Sequence, residues 1–234
     1  MATALCLSIG PRPGIAESTA AGDGDDREWG DWPRWDDVGA ERATGEVNEG
    51  RLSFLRQRPD GRLHHHANRI TIAEQSLRDG WVELQQCHEG LDPVPRLQIV
   101  YHPQRVRRLR VTEQRDVQSA EVVGSRVELR GVGRDARICI SARSLALVAG
   151  DDGSFVLRNG PFMRRFLDGF YPMRVSMAVR WPTGTLRLGG VQPAAQPGFH
   201  VTEQRDGVDF EALFEGRLST RIHLFPSSAA SAGR

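Results

Sequence analysis

Val111-Thr112-Glu113-Gln114-Arg115-Asp116 recurs, letter for letter, as Val201-Thr202-Glu203-Gln204-Arg205-Asp206, ninety positions further along the chain. That offset is about the length of one small β-sandwich domain. Weaker echoes keep nearly the same spacing: Asp79-Gly80-Trp81 against Asp168-Gly169-Phe170, and Arg126-Val127 against Arg217-Leu218. The repeat points to two similar modules in tandem. The competing reading is chance similarity within one larger β domain, because Val82–Arg110 holds two apolar runs where Tyr171–His200 is rich in Gly and Pro.

Around the repeats the chain reads as short strands broken by turns. Apolar residues take every second place in Arg126-Val127-Glu128-Leu129 and in Arg137-Ile138-Cys139-Ile140, the period of a half-buried strand. Turn chemistry separates such runs at His102-Pro103, Gly150-Asp151-Asp152-Gly153, Pro182-Thr183-Gly184 and Gly189-Gly190. The expected class is all-β: two tandem antiparallel, immunoglobulin-like sandwiches. The expected division is a disordered acidic tail over 1–48, a first module over 49–150, a short helix plus second module over 151–226, and a frayed end over 227–234.

One segment carries a helical signature. In Asn159–Gly169 the apolar Phe162, Met163, Phe166 and Leu167 share one helical face, Pro161 suits the first helical position, and Gly169 suits a stop. The expectation is a two-turn helix joining the modules, with Phe162 and Phe166 buried between them. Arg164, Arg165 and Asp168 would then face outward beside Phe170 and Tyr171. That group is the candidate ligand site, since paired guanidiniums hold carboxylates or phosphates and clefts between modules hold ligands. The structural alternative has the same arginines pairing with carboxylates across the interface.

His64-His65-His66 suggests a metal, because His64 and His66 point the same way in an extended strand and His88 lies within reach. No CxxC or HExxH spacing supports it, so no metal or other cofactor is expected. Cys87 and Cys139 both fall in expected strands and are candidates for a disulfide, with Cα atoms within about 4.4–6.8 Å. The pair leans toward a periplasmic or secreted location, as does the apolar start Met1–Ile9, although that start lacks the basic region of an export signal.

Catalytic motifs are missing: no GxSxG elbow, Walker loop or GxGxxG occurs. Every one of the 31 basic residues is Arg, yet the net charge is only +1, which gives no general pull toward nucleic acid. Arg105, Arg107, Arg108 and Arg110 lack interleaved stacking aromatics, so nucleic-acid binding is not expected. No apolar run approaches the roughly 20 residues of a membrane helix. In the tail, Trp29, Trp32 and Trp35 are spaced to align on a polyproline-II face and either dock on a partner or cover the adjacent domain. The expectation is a non-enzymatic module binding a protein or polymer, with a ligand-binding or hydrolytic cleft between the modules as the alternative.

Overall fold

The computed structural model describes residues 5–8, 48–166 and 169–227. In chain order the elements are β1 (Leu5–Ser8), β2 (Ser53–Phe54), β3 (His64–Thr71), α1 (Ser76–Asp79), β4 (Trp81–Glu89), β5 (Arg96–Val100), β6 (Val106–Val123), β7 (Arg126–Leu145) and β8 (Leu147–Ala149). They continue as β9 (Phe155–Phe166), β10 (Gly169–Tyr171), β11 (Met173–Arg180), β12 (Leu186–Gln192), β13 (Phe199–Gln204), β14 (Gly207–Glu215) and β15 (Leu218–Pro226).

Alternation decides which side of each strand is buried. In β11, Met173, Val175, Met177 and Val179 point inward and their neighbours outward. Leu218, Thr220, Ile222 and Leu224 of β15 do the same. Val, Ile, Leu and Phe at every second position satisfy a pleated surface with one dry face.

The strands form one continuous path, β12-β15-β9-β1-β5-β7-β4-β3-β11-β14-β13, with β6 paired to β7. The hinge of this path is the long β6–β7 hairpin. Arg126–Arg130 of β7 pairs with β5, whereas Arg137–Leu145 pairs with β4. Between these stretches lie Gly131, at φ 57°, and one of the register shifts in β6, where Arg115 faces Arg137 and Val117 faces Val132. Bulges and glycines bend strands and let them pass from one layer to another. The two layers meet face to face: Phe162 of β9 stands edge-on to the His66 ring of β3, at 5.4 Å between centroids. A single apolar core runs from Ile70 to Leu224.

The helix expected over Asn159–Gly169 is not there. Its first eight residues are the end of β9, paired with β15 on one side and with β1 on the other. The Gly160-Pro161 pair that looked like a helix start is a bulge: Leu218 faces Phe162 while Thr220 faces Asn159. Gly160 sits at φ 96°, and a Cβ there would lie 2.5 Å from the Leu218 carbonyl oxygen, so only glycine fits. Phe162 is buried at 1% exposure, but Phe166 is only half-buried, edge-on to Tyr171. Leu167 and Asp168 lie outside the described residues.

The module boundary expected near residue 150 has no counterpart in the pairing. β3, from the first half, runs parallel to β11, from the second, over eight residue pairs from Met173↔His64 to Arg180↔Thr71. Separate immunoglobulin-like modules would not share a sheet. The two VTEQRD copies also sit differently. Val111–Asp116 lies within β6, where bulges set Asp116 at φ 52° and its carboxylate accepts from the Asp135 N–H. Val201–Gln204 ends β13, and Asp206 occupies the following turn, accepting from the Thr183 hydroxyl at 2.8 Å. Of the expected tail, Leu5–Ser8 is a strand between β5 and β9. The three tail tryptophans fall outside the described residues.

Candidate binding face

Seven strands, β6-β7-β4-β3-β11-β14-β13, present an outward face whose side chains follow from register. One row across its middle reads Glu211, Ser176, Ala67, Cys87, Cys139. The next reads Asp209, Ala178, Arg69, Gln85, Ser141. Small residues thus meet at the centre: Ala67 on β3, with Ser176 and Ala178 on β11. Their neighbours stand taller, and the result is a groove of about 690 Å³ along the sheet.

One wall of the groove is built from satisfied ion pairs. Arg180 holds Asp209 through both nitrogens, at 2.5 and 3.0 Å, and Gln204 donates to the same carboxylate. Arg174 donates to Glu211 at 2.8 Å, and this bond holds the Glu211 carboxyl below the usual range. Beneath them His65 meets the Ser176 hydroxyl at 2.8 Å. Partial burial, then the Arg174 charge, lowers the His65 pKa. Across the floor the side chains of Arg69 and Gln85 are exposed and form no hydrogen bond or ion pair with another described residue. His200 and Thr202 of the edge strand β13 close one end. The arrangement offers fixed donors and acceptors, one uncommitted guanidinium and a flat floor. It holds an extended polar chain better than a compact apolar molecule.

Cys87 and Cys139 lie directly opposite each other on β4 and β7, bonded as a disulfide that lines the groove. Their Cα atoms are 4.1 Å apart, slightly closer than the span expected from sequence. Arg137 and Glu113 flank the sulfurs.

The opposite face of the same strands holds the three candidate metal ligands. His64, His66 and His88 come together in the core at 2, 0 and 0% exposure. His64 Nε2 is 3.1 Å from His88 Nδ1, and the His66 and His88 rings stack with centroids 4.1 Å apart. Burial first, and then the neighbouring imidazoles, push all three pKa values well below 6.5. Stacked rings direct their lone pairs side by side, whereas a metal needs them to converge at about 2.0–2.1 Å. Among the described residues no group of three or more His, Cys, Asp or Glu is arranged to hold a metal ion. A buried polar chain continues beside the stack: Tyr101 donates to Gln86 at 2.6 Å, and Gln86 to Asn68 at 2.8 Å.

The arginine–aromatic group lies elsewhere, at the corner where β9 turns into β10. Arg164 donates twice to Asp92, at 2.7 and 3.2 Å, and once to the Pro172 carbonyl. It also lies over the exposed Tyr171 ring. Phe170 is buried at 8% exposure, with Arg165 and Arg217 within 5.8 and 5.1 Å of its centroid. These contacts fasten β9 and β10 to the loop bearing Asp92, a structural use of the residues that sequence marked as a ligand site. The groove residues Arg69, Ser176, Ala178, Arg180, Asp209 and Glu211 were not singled out from sequence. Alternation could have placed Ser176 and Ala178 on one face, but the β3–β11 pairing that makes them a floor has no local signal.

No family model matches the chain, and no curated protein matches it. Among solved structures, a protein assigned to nutrient binding from Legionella pneumophila shares 8% identity over 76% of this chain and 68% of its own, with a TM-score of 0.38. A mutant M1 zinc metallopeptidase from Deinococcus radiodurans, bound to a Tyr-Ser-Ala substrate, shares 12% over 76% of this chain and 43% of its own, at 0.36. A two-domain M1 zinc metallopeptidase bound to tryptophan shares 13%, at 0.34. The chain spans less than half the length of these peptidases. Likenesses of this size carry no argument about function.

Proposed function

We propose that this chain is a non-enzymatic binding protein whose outward sheet face receives an extended polar ligand, a polymer or a segment of another protein. The observation that carries the reading is the small-residue floor of Ala67, Ser176 and Ala178 between ion-paired walls and the uncommitted Arg69. Among the described residues no helix is long and apolar enough to cross a membrane. The bridge between Cys87 and Cys139 supports work in an oxidising compartment, where such bonds persist.

The test is a panel of soluble polysaccharides and unstructured peptides, offered to the native protein and to Ala178→Trp. Ala178 is half-buried on the outward face, so the indole fills the groove without entering the core. The expected result is at least one ligand bound by the native protein and weakened about tenfold or more by the indole. A ligand bound equally by both forms would contradict the groove, and amide shifts clustering at Arg164 and Tyr171 would move the site to the β9–β10 corner.

A further inference from the structure

The two sulfurs of the outward disulfide are not equivalent. Register sets four residues in a row across the strands: Glu113 on β6, Cys139 on β7, Cys87 on β4 and Ala67 on β3. Ser176 of β11 extends the row beyond Ala67. Cys87 is half-buried and lines the groove, whereas Cys139 is 7% exposed and does not line it.

In thiol–disulfide exchange a thiolate attacks one sulfur and expels the other, so it must approach in line with the bond that breaks. On the far side of Cys139 stands Glu113, whose carboxylate lies 3.4 Å from Cys139 Sγ and repels an anion. On the far side of Cys87 stands Ala67, whose methyl group leaves the groove open. There Nη2 of Arg137 lies 3.6 Å from Cys87 Sγ. Its other nitrogens are held by carboxylates, Nη1 by Glu89 and Nε by Glu113 at 2.9 Å, which fixes the guanidinium beside the sulfur. Room and charge therefore favour attack on the same atom.

We propose that the Cys87–Cys139 bridge is a thiol-exchange site that takes a thiol at Cys87. The incoming thiolate forms a new S–S bond to Cys87 Sγ, and the bond to Cys139 breaks. The electron pair leaves on Cys139 Sγ, which takes up the proton that the thiol released to water. The new S–H then donates to Glu113. One disulfide and one thiol are consumed and one of each is formed, so no further oxidant or reductant is needed. Attack by Cys139 on the mixed disulfide reverses the step. The reactant is a thiol, either free or on a cysteine of a chain lying in the groove.

The probes are free cysteine and an extended peptide carrying one cysteine, each offered to the folded full chain. Rapid quenching with a maleimide and mass-spectrometric mapping should place the thiol adduct on Cys87 and the maleimide on Cys139. Ala67→Leu, which fills the approach to Cys87, should slow exchange about tenfold or more, because the rate depends on access. Arg137→Gln should slow it about fivefold, as for the loss of one partly exposed charge contact. Adducts on Cys139, adducts that form no faster than the chain unfolds, or the native rate in either variant would each overturn the proposal. Faster exchange with the peptide assigns the thiol to a chain in the groove, and equal rates assign it to small thiols; both support the site. Exchange with free cysteine requires no groove ligand, so the groove can fail its own Ala178→Trp test while this proposal stands.

Discussion

His65 and its neighbours His64 and His66 are the same amino acid on one strand, yet they occupy opposite environments. His64 and His66 are stacked dry in the core with His88, whereas His65 lies on the wet face beneath the candidate groove, bonded to Ser176. Composition cannot make that difference; the pleat makes it, by sending successive side chains to opposite sides. The inner face is therefore committed to packing with uncharged polar groups. The outer face is left to ion pairs and a groove.

The strongest way to break the comparison is acid. The three buried histidines have folded pKa values well below the 6.5 of an unfolded chain, so the fold selects their neutral form. Their contribution is complete above about pH 6.5 and is lost as pH falls below it, because the unfolded chain takes up protons that the folded chain refuses. Going from about pH 7.5 to about pH 5 should lower stability, by no more than about 2 kcal/mol per histidine, the limit set by proton uptake in the unfolded chain. Denaturant melts at both pH values check this, and His88→Leu should flatten the slope.

Next in size is the ring that seals the stack. Phe162→Ala should cost about 3–5 kcal/mol by opening a cavity against His66, whereas Tyr171→Ala, on an exposed ring, should cost far less. A melt of the two variants separates them, and equal costs would mean the layers are not packed as described.

The outer face has its own clamp. Replacing Cys87 and Cys139 together by Ala removes a link closing a 52-residue separation and should cost about 2–4 kcal/mol. The same loss should appear in the native protein under reducing agent, and no loss in either experiment would argue that the bridge does not form.

The smallest stability effect belongs to the groove. Arg69→Ala should change stability by no more than about 0.5 kcal/mol, as for exposed residues without partners. It should still weaken any ligand found by the panel.

Much of this was legible in the sequence, and what was not has a physical cause. Alternation in Arg137-Ile138-Cys139-Ile140 announced β7, and the single-face logic of an extended strand brought His64 and His66 together. Cys87 and Cys139 were readable as a pair because both sat in strands. The segment from Asn159 failed because Phe162-Met163 and Phe166-Leu167 satisfy a helical period, and nothing local reveals that Gly160 is a bulge facing Leu218. Two modules were inferred because six identical residues suggest duplication, but the β3–β11 pairing joins positions more than a hundred residues apart. Long-range register, which also builds the groove, leaves no trace in short windows of sequence.

The most direct test of the two-faced strand is a pH titration of the histidine rings by nuclear magnetic resonance. The rings of His64, His66 and His88 should stay neutral until the protein unfolds in acid, with the outward His65 taking up its proton before them. A buried ring that protonates together with His65, or above it, while the fold persists would contradict the account.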